Sequence, residues 1–182
     1  MSARDDLLAK VVAWFMQNGV GDTSLRTVAA GVGSSHRMLL YHFRSREDLL
    51  AAVVDVTWAA QARYLDEMLD GGRDPVEAGQ LLWKRLADEA STFGPLFFEL
   101  AAAAMHGHEW ASSLRTWIGV WNERLTDYYM RAGHDRERAA SIAQTSLALA
   151  RGVLFELALG GDRARADAII VDFLTSYAGP RR

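Results

Sequence analysis

Helix start signals recur along the whole chain while strand signals do not, and that contrast fixes the fold class. Ser2 and Asp5 stand at capping-box spacing, as do Ser45 and Asp48. Thr23 or Ser24 precedes a short apolar run. Asp74-Pro75-Val76-Glu77 joins a cap, a first-turn proline and an acid three residues on, and Asp135 and Asp162 each open a periodic segment. Runs of β-branched residues alternating with polar ones are missing, and a composition rich in Ala, Leu, Arg and Glu favours helix. The chain is therefore expected to be all-α, with about nine helices. They are expected over about Ala3–Asn18, Leu25–Gly31, Ser35–Phe43, Arg46–Leu69, Asp74–Ser91, from Pro95 past Met105, Trp110–Ala132, Arg136–Leu159 and Arg163–Ala178. The stops are Asn18-Gly19, the turn Gly31–Ser34, Asp70-Gly71-Gly72, Gly133, Gly160-Gly161 and Gly179-Pro180. No internal repeat, low-complexity stretch or flexible linker interrupts this order.

Composition narrows the chemistry. Half of the 182 residues are hydrophobic, enough for a core. There is no cysteine, hence no disulfide, thiol nucleophile or thiolate metal site. The N-terminus lacks the apolar run and cleavage site of a signal peptide, and no stretch has eighteen uninterrupted apolar residues, so a cytoplasmic protein without a membrane partner is expected. The net charge is -3, against a broad nucleic-acid coat. Between Val20 and Arg46, however, Arg26, Arg37, Arg44 and Arg46 face a single acid, Asp22, a local excess of positive charge where phosphate contact is to be sought.

That stretch also holds the one motif with chemistry. Two short helices joined by a tight glycine-containing turn, behind one packing helix, have the shape of a helix-turn-helix. The second of the pair should enter the major groove. Ser34, Ser35, His36, Arg37, Met38, Tyr41 and His42 form a mostly polar set, while Leu39 and Phe43 anchor the helix from behind. Its N-terminus offers amide donors to a phosphate.

The run SLRTVAAGVGSSHRMLLYHFRSREDLLAAVV resembles the signature of the tetracycline-repressor (TetR) family. The matching features are Ser24, Val28-Ala29, Gly31 or Gly33, Ser35, Tyr41-His42-Phe43 and Ser45-Arg46-Glu47-Asp48-Leu49. The resemblance implies a helix-turn-helix DNA-binding domain over 1–46 and a helical ligand-binding and dimerisation domain over 47–182. Residue by residue, it implies phosphate contacts from Ser24 and Arg26, base proximity for Ser35, His36, Arg37 and Met38, backbone bonds from Tyr41 and His42, and a phosphate held by Arg46, where the family usually has Lys. Phosphate contacts position and base contacts specify; Arg37 is the candidate for a guanine edge. The chain departs from the family pattern at Ser34, usually apolar, at Arg37, often Gly, and at Leu40, often aromatic. These departures leave the expected fold intact and bear on the operator sequence.

The C-terminal part is rich in aromatics. The resemblance implies an inducer cavity between the fourth and eighth helices, and a dimer through the eighth and ninth. Candidate ligand contacts are Trp58, Trp83, Phe97, Met105, His106, Trp117, Trp121, Gln144, Arg151 and Phe155, with Asn122 as a further polar liner. A wall of aromatics with few polar groups suits a small, largely apolar ligand. The bland alternative for each of these aromatics is ordinary core. The last two helices carry small and apolar residues, among them Ala143, Ala150, Ile170 and Tyr177, which permit close approach. The expected partners are thus double-stranded DNA with a palindromic operator, a second copy of the chain, and an inducer. The alternative is a dimeric small-molecule-binding protein without operator binding. His106-Gly107-His108-Glu109 has two histidines two apart but no third ligand, so no metal is expected. No cofactor and no catalytic activity are expected either, since nucleophile-elbow, P-loop and dinucleotide motifs are missing.

Overall fold

The computed structural model describes residues 2–69 and 72–178; the stops expected at Asp70-Gly71 and Gly179-Pro180 lie outside the described residues. Local caps set the helix starts. Ser2 Oγ accepts the Asp5 amide and Asp5 accepts the Ser2 amide, closing the box at the head of α1 (Ala3–Asn18). Gly19, at φ 74°, ends it in a conformation that side chains with a Cβ rarely adopt. Ser24 Oγ accepts the Thr27 amide to open α2 (Leu25–Gly31), and Ser35 Oγ accepts the Met38 amide to open α3 (His36–Phe43). At α4 (Arg46–Leu69) only half of the expected box forms: Ser45 Oγ takes the Asp48 amide, while the Ser45 amide donates to the Phe43 carbonyl. Asp74, Asp135 and Asp162 cap α5 (Pro75–Asp88), α8 (Arg136–Ala158) and α9 (Arg163–Phe173) through their carboxylates.

Three boundaries differ from expectation. The break expected just before Pro95 falls instead at Glu89, so α6 runs Ala90–Met105 with the proline inside. The Glu89 carbonyl accepts from the Thr92 and Phe93 amides and starts α6 early. The missing Pro95 N–H costs the Ser91 carbonyl its helical partner, but Ser91 is exposed and water can replace it. A 3-10 turn, Glu109–Ala111, precedes α7 (Ser113–Arg131), where one helix from Trp110 was expected. The end of the last helix widens into a π turn, Leu174–Ala178.

The chain forms two compact units, Met1–Ala60 with Pro95–Thr116, and Gln61–Gly94 with Trp117–Arg182. In the first, Leu8, Val11, Phe15, Val28, Ala29, Leu39 and Phe43 are buried, as are Leu49, Leu50, Val53 and Val54 of α4. The start of α4 thus packs as part of the first unit, and the compact division runs beyond the boundary after residue 46 that the motif implied. The second unit is organised on one cluster that includes Leu65, Trp83, Leu125, Tyr128, Ile142, Leu147 and Ile170. Among the described residues no helix is long and apolar enough to cross a membrane.

Candidate nucleic-acid interface and ligand cavity

The short α3 is anchored by Leu39 and Phe43, which are buried, and turns Arg37, Met38, Leu40 and Tyr41 outward. Tyr41 is 77% exposed, and its ring meets His42 edge-on at 5.0 Å. An aromatic ring displayed that fully has little to gain from the chain itself. Ser35 is exposed at the head of the helix, while Ser34, His36 and His42 are half-buried. The α2–α3 turn is tied by Val32, Gly33 and Ser34 amides donating to Val28, Ala30 and Ala29 carbonyls. Behind it, α1 crosses α2 closely: a Cβ at Gly31 would lie 2.1 Å from Trp14 Nε1. At the far end of α3, Arg44 sits at φ 61°, a strained position for a residue with a side chain. Ser24 and Arg26 are exposed on α2, the serine already serving as its cap.

Arg46 is placed differently from the expected phosphate contact. Its guanidinium is turned inward, donating from Nη2 to the Gly21 carbonyl at 2.6 Å and from Nε to the Thr23 carbonyl at 2.8 Å. A planar fork of donors satisfies two carbonyls of one turn at once, which a Lys ammonium does less well. The outward cations of the Val20–Arg46 stretch are therefore Arg26, Arg37 and Arg44. The same turn is held by a residue that the sequence reading passed over. Glu99 accepts the Val20 amide on Oε2 at 2.7 Å and the Gly21 amide on Oε1 at 3.0 Å. Its signal in the sequence is a lone charge in the apolar run of α6, ASTFGPLFFELAAAAM.

In the second unit a cavity of about 70 Å³ lies among α5, α7, α8 and the end of α9, walled by aliphatic side chains with Trp83, Trp121, Tyr129 and Phe173. The Trp83 N–H is taken by Asp167 Oδ1 at 2.7 Å, an acid that also receives Arg163 Nε. Tyr129 Oη lies 3.3 Å from Ser146 Oγ, which itself donates to the Ile142 carbonyl. Burial pushes the Tyr129 hydroxyl up, so it stays protonated as a donor. Trp121 Nε1, by contrast, is buried without a hydrogen-bond partner, as are Gln61 Oε1 and Asn122 Oδ1 of the same unit. An orphaned donor beside an apolar space is costly and is relieved by any acceptor that enters.

The family profile described as "Bacterial regulatory proteins, tetR family" matches residues 7–53, from the first turns of α1 into α4. Residues 7–53 are thus similar to the N-terminal region of TetR-family proteins. The proteins of that family are bacterial regulators. No curated protein matches the chain's sequence. Solved structures of transcriptional regulators share the fold. A TetR transcriptional regulator from Legionella pneumophila is 18% identical with a TM-score of 0.79, over 97% of this chain and 98% of that one. A transcriptional regulator from Rhodococcus sp. Rha1 is 19% identical with a TM-score of 0.82, over 97% and 96%. A structure from Saccharomonospora viridis in complex with choline is 16% identical with a TM-score of 0.78, over 98% of each.

Within this fold the expected ligand contacts part company. Trp83 and Trp121 line the cavity. Trp58 and Phe97 stack on each other in the first unit, ring centres 5.3 Å apart. Trp117 and Arg151 are half-buried and stand outside the cavity wall, and burial lowers the Arg151 pKa from its ordinary value. Met105, at 81% exposure, and His106, Gln144 and Phe155 lie on the surface, outside this cavity. Helical spacing alone does not say which side of a helix faces inward near its end, and Met105 and His106 fall where α6 stops. Asn122 donates from Nδ2 to the Ile118 carbonyl of its own helix. Among the described residues no three potential ligands gather for a metal; His106 and His108 are exposed, and His108 stacks on Trp110.

Proposed function

We propose that this protein is a ligand-responsive repressor that binds a palindromic operator as a homodimer and leaves it when a small, largely apolar inducer occupies the C-terminal unit. The observation that carries the reading is the two-faced α3, with Leu39 and Phe43 buried and Arg37, Met38 and Tyr41 outward. In the proposed complex Arg37 reads a base edge, Ser35, His36 and Met38 lie beside the bases, Ser34 stands at the helix entry, and Ser24, Arg26, Tyr41 and His42 meet the backbone. Dimerisation through α8 and α9 is supported by Phe155, Leu159, Val171 and Tyr177, large apolar side chains exposed on α8, at its C-cap, on α9 and on the π turn. Two-fold symmetry then spaces the recognition helices for half-sites about 34–36 Å apart. The inducer acts by differential affinity for the head spacing that no longer fits successive grooves.

The cavity supports the ligand half of the reading. Its 70 Å³ is about half of the ~150 Å³ apolar cavity known to take benzene. A ligand of ordinary size must therefore open it, which is how occupancy becomes conformational change. A similar frame holds choline in the Saccharomonospora viridis structure; choline is accordingly the first compound to try.

Selection of bound duplexes from a random pool, repeated across salt concentrations, tests the function. Enrichment of a palindrome, affinity falling steeply with salt, and loss of binding in Arg37→Ala and Tyr41→Ala are the expected results. A folded dimer that enriches nothing and retains small molecules establishes instead the binding protein without an operator.

A further inference from the structure

The turn between α1 and α2 is gripped from two sides by ionised side chains that both come from outside it. Gly19 at φ 74° and Gly21 at φ 38° bend the backbone so that the Val20 and Gly21 amides converge on one carboxylate, Glu99 of α6. Converging amides of this kind form an anion cradle, and the anion here is part of the chain. Arg46 takes the carbonyls of Gly21 and Thr23 from α4. Four charge-assisted bonds thus fall on the turn, and the next residue is Ser24, the cap of α2. Glu99 is the only charged residue of α6. It is half-buried, and both of its oxygens are used.

From this geometry we infer that Glu99 is a positioning residue for duplex binding, an inference that rests on the helix-turn-helix role proposed above. Glu99 touches no nucleic acid itself. It fixes the turn, and the turn fixes Ser24, the start of α2 and the direction from which Arg26 approaches a phosphate. Without the carboxylate the Val20 and Gly21 amides are left to water, the turn samples several conformations, and its ordering is charged against duplex binding. Because the bonds span 79 and 78 residues of sequence, the order of the α1–α2 turn depends on where α6 places one side chain.

Glu99→Gln is the discriminating change: one oxygen remains, and the new amide group sets a donor against a backbone donor. Glu99→Asp keeps the charge but is a methylene short of spanning both amides, and so serves as the milder variant. Hydrogen exchange on the full chain is read first, with melting temperature alongside. Exchange at Val20 and Gly21 should quicken by about tenfold or more in Glu99→Gln, the measure of a lost bond to an ionised group, with α1, α3 and α4 unchanged. Affinity for a labelled duplex enriched by the wild-type protein should fall by about tenfold, Asp lying between wild type and Gln. Unchanged exchange overturns the inference, as does faster exchange with unchanged affinity. Exchange that rises evenly through the unit, with a matching fall in melting temperature, reduces Glu99 to a general stability role and also overturns it. If wild-type protein binds no duplex, the proposed function fails before any variant is compared, and the exchange data alone then report on the grip.

Discussion

Gly31→Ala places a methyl group where α1 and α2 come closest, and its effect can be worked from three distances. The new Cβ would lie 2.1 Å from Trp14 Nε1 and 2.7 Å from both Cδ1 and Cε2. Ordinary carbon contacts are about 3.5–4.0 Å, so the indole must retreat by about 1.5 Å. Overpacking of this kind costs about 1–3 kcal/mol. Against it stands the helix preference of Ala over Gly, at most ~1 kcal/mol and smaller here because Gly31 is the last residue of α2. The net expectation is a loss of about 1–2 kcal/mol, or about 2–8 °C in melting temperature for a chain of this size, followed by circular dichroism. Trp14→Ala removes the obstacle. In that background Gly31→Ala should be neutral or slightly stabilising, giving a coupling of about 1–2 kcal/mol. An equal shift in both backgrounds, or a rise in melting temperature from Gly31→Ala alone, would refute the close approach of α1 to α2.

Three further outcomes concern the second unit. Trp83→Phe gives up the bond to Asp167 and should destabilise by about 1 kcal/mol. Trp121→Phe loses the same ring volume but deletes a buried N–H that has no partner, so it should cost less than Trp83→Phe in the same thermal melts; equal losses at both positions would contradict the assignment of the orphaned donor. Burial, with Tyr129 and Asp74 nearby, pushes the Tyr128 hydroxyl up to about 12. A folded-state pKa above the unfolded value of 10.0 means that its stabilising contribution is whole below pH 10 and is lost as the pH rises from there through about 12. The tyrosinate absorbance of Tyr128, taken as the difference between wild type and Tyr128→Phe, should therefore appear late in a titration and together with unfolding; its appearance near pH 10 in the folded protein would be the contrary result.

What the sequence shows and what it hides divide by range. Caps act over three residues, so Ser2, Asp74, Asp135 and Asp162 could be read directly, with Ser24 as one of two candidates, and those helix starts came with them. The two faces of α3 were legible for the same reason, since Leu39 and Phe43 are one helical turn apart. Pro95 misled, because a breaker ends a helix only when the carbonyl it abandons has no other recourse, and Ser91 has water. Arg46 was recognisable as a functional cation by its place in the motif, but its direction depends on carbonyls more than twenty residues upstream. Glu99 depends on amides farther away still, and no local pattern carries that information. The aromatics divide, because the same side chains that wall a cavity also fill a core; only the packed structure separates Trp121 from Trp58.

The grip of Glu99 on the α1–α2 turn bears on modularity. Helix-turn-helix segments invite use as interchangeable cassettes, cut after the motif and joined to a new sensory body. In this protein the segment that matches the family ends at residue 53, yet one of its turns is completed by a side chain 46 residues later in the chain. A chimera carrying only the N-terminal segment would inherit the letters of the motif and leave its anion behind. An exchange that transplanted residues 95–116 together with 1–60 would move the whole compact unit, and with it the carboxylate the turn was built around.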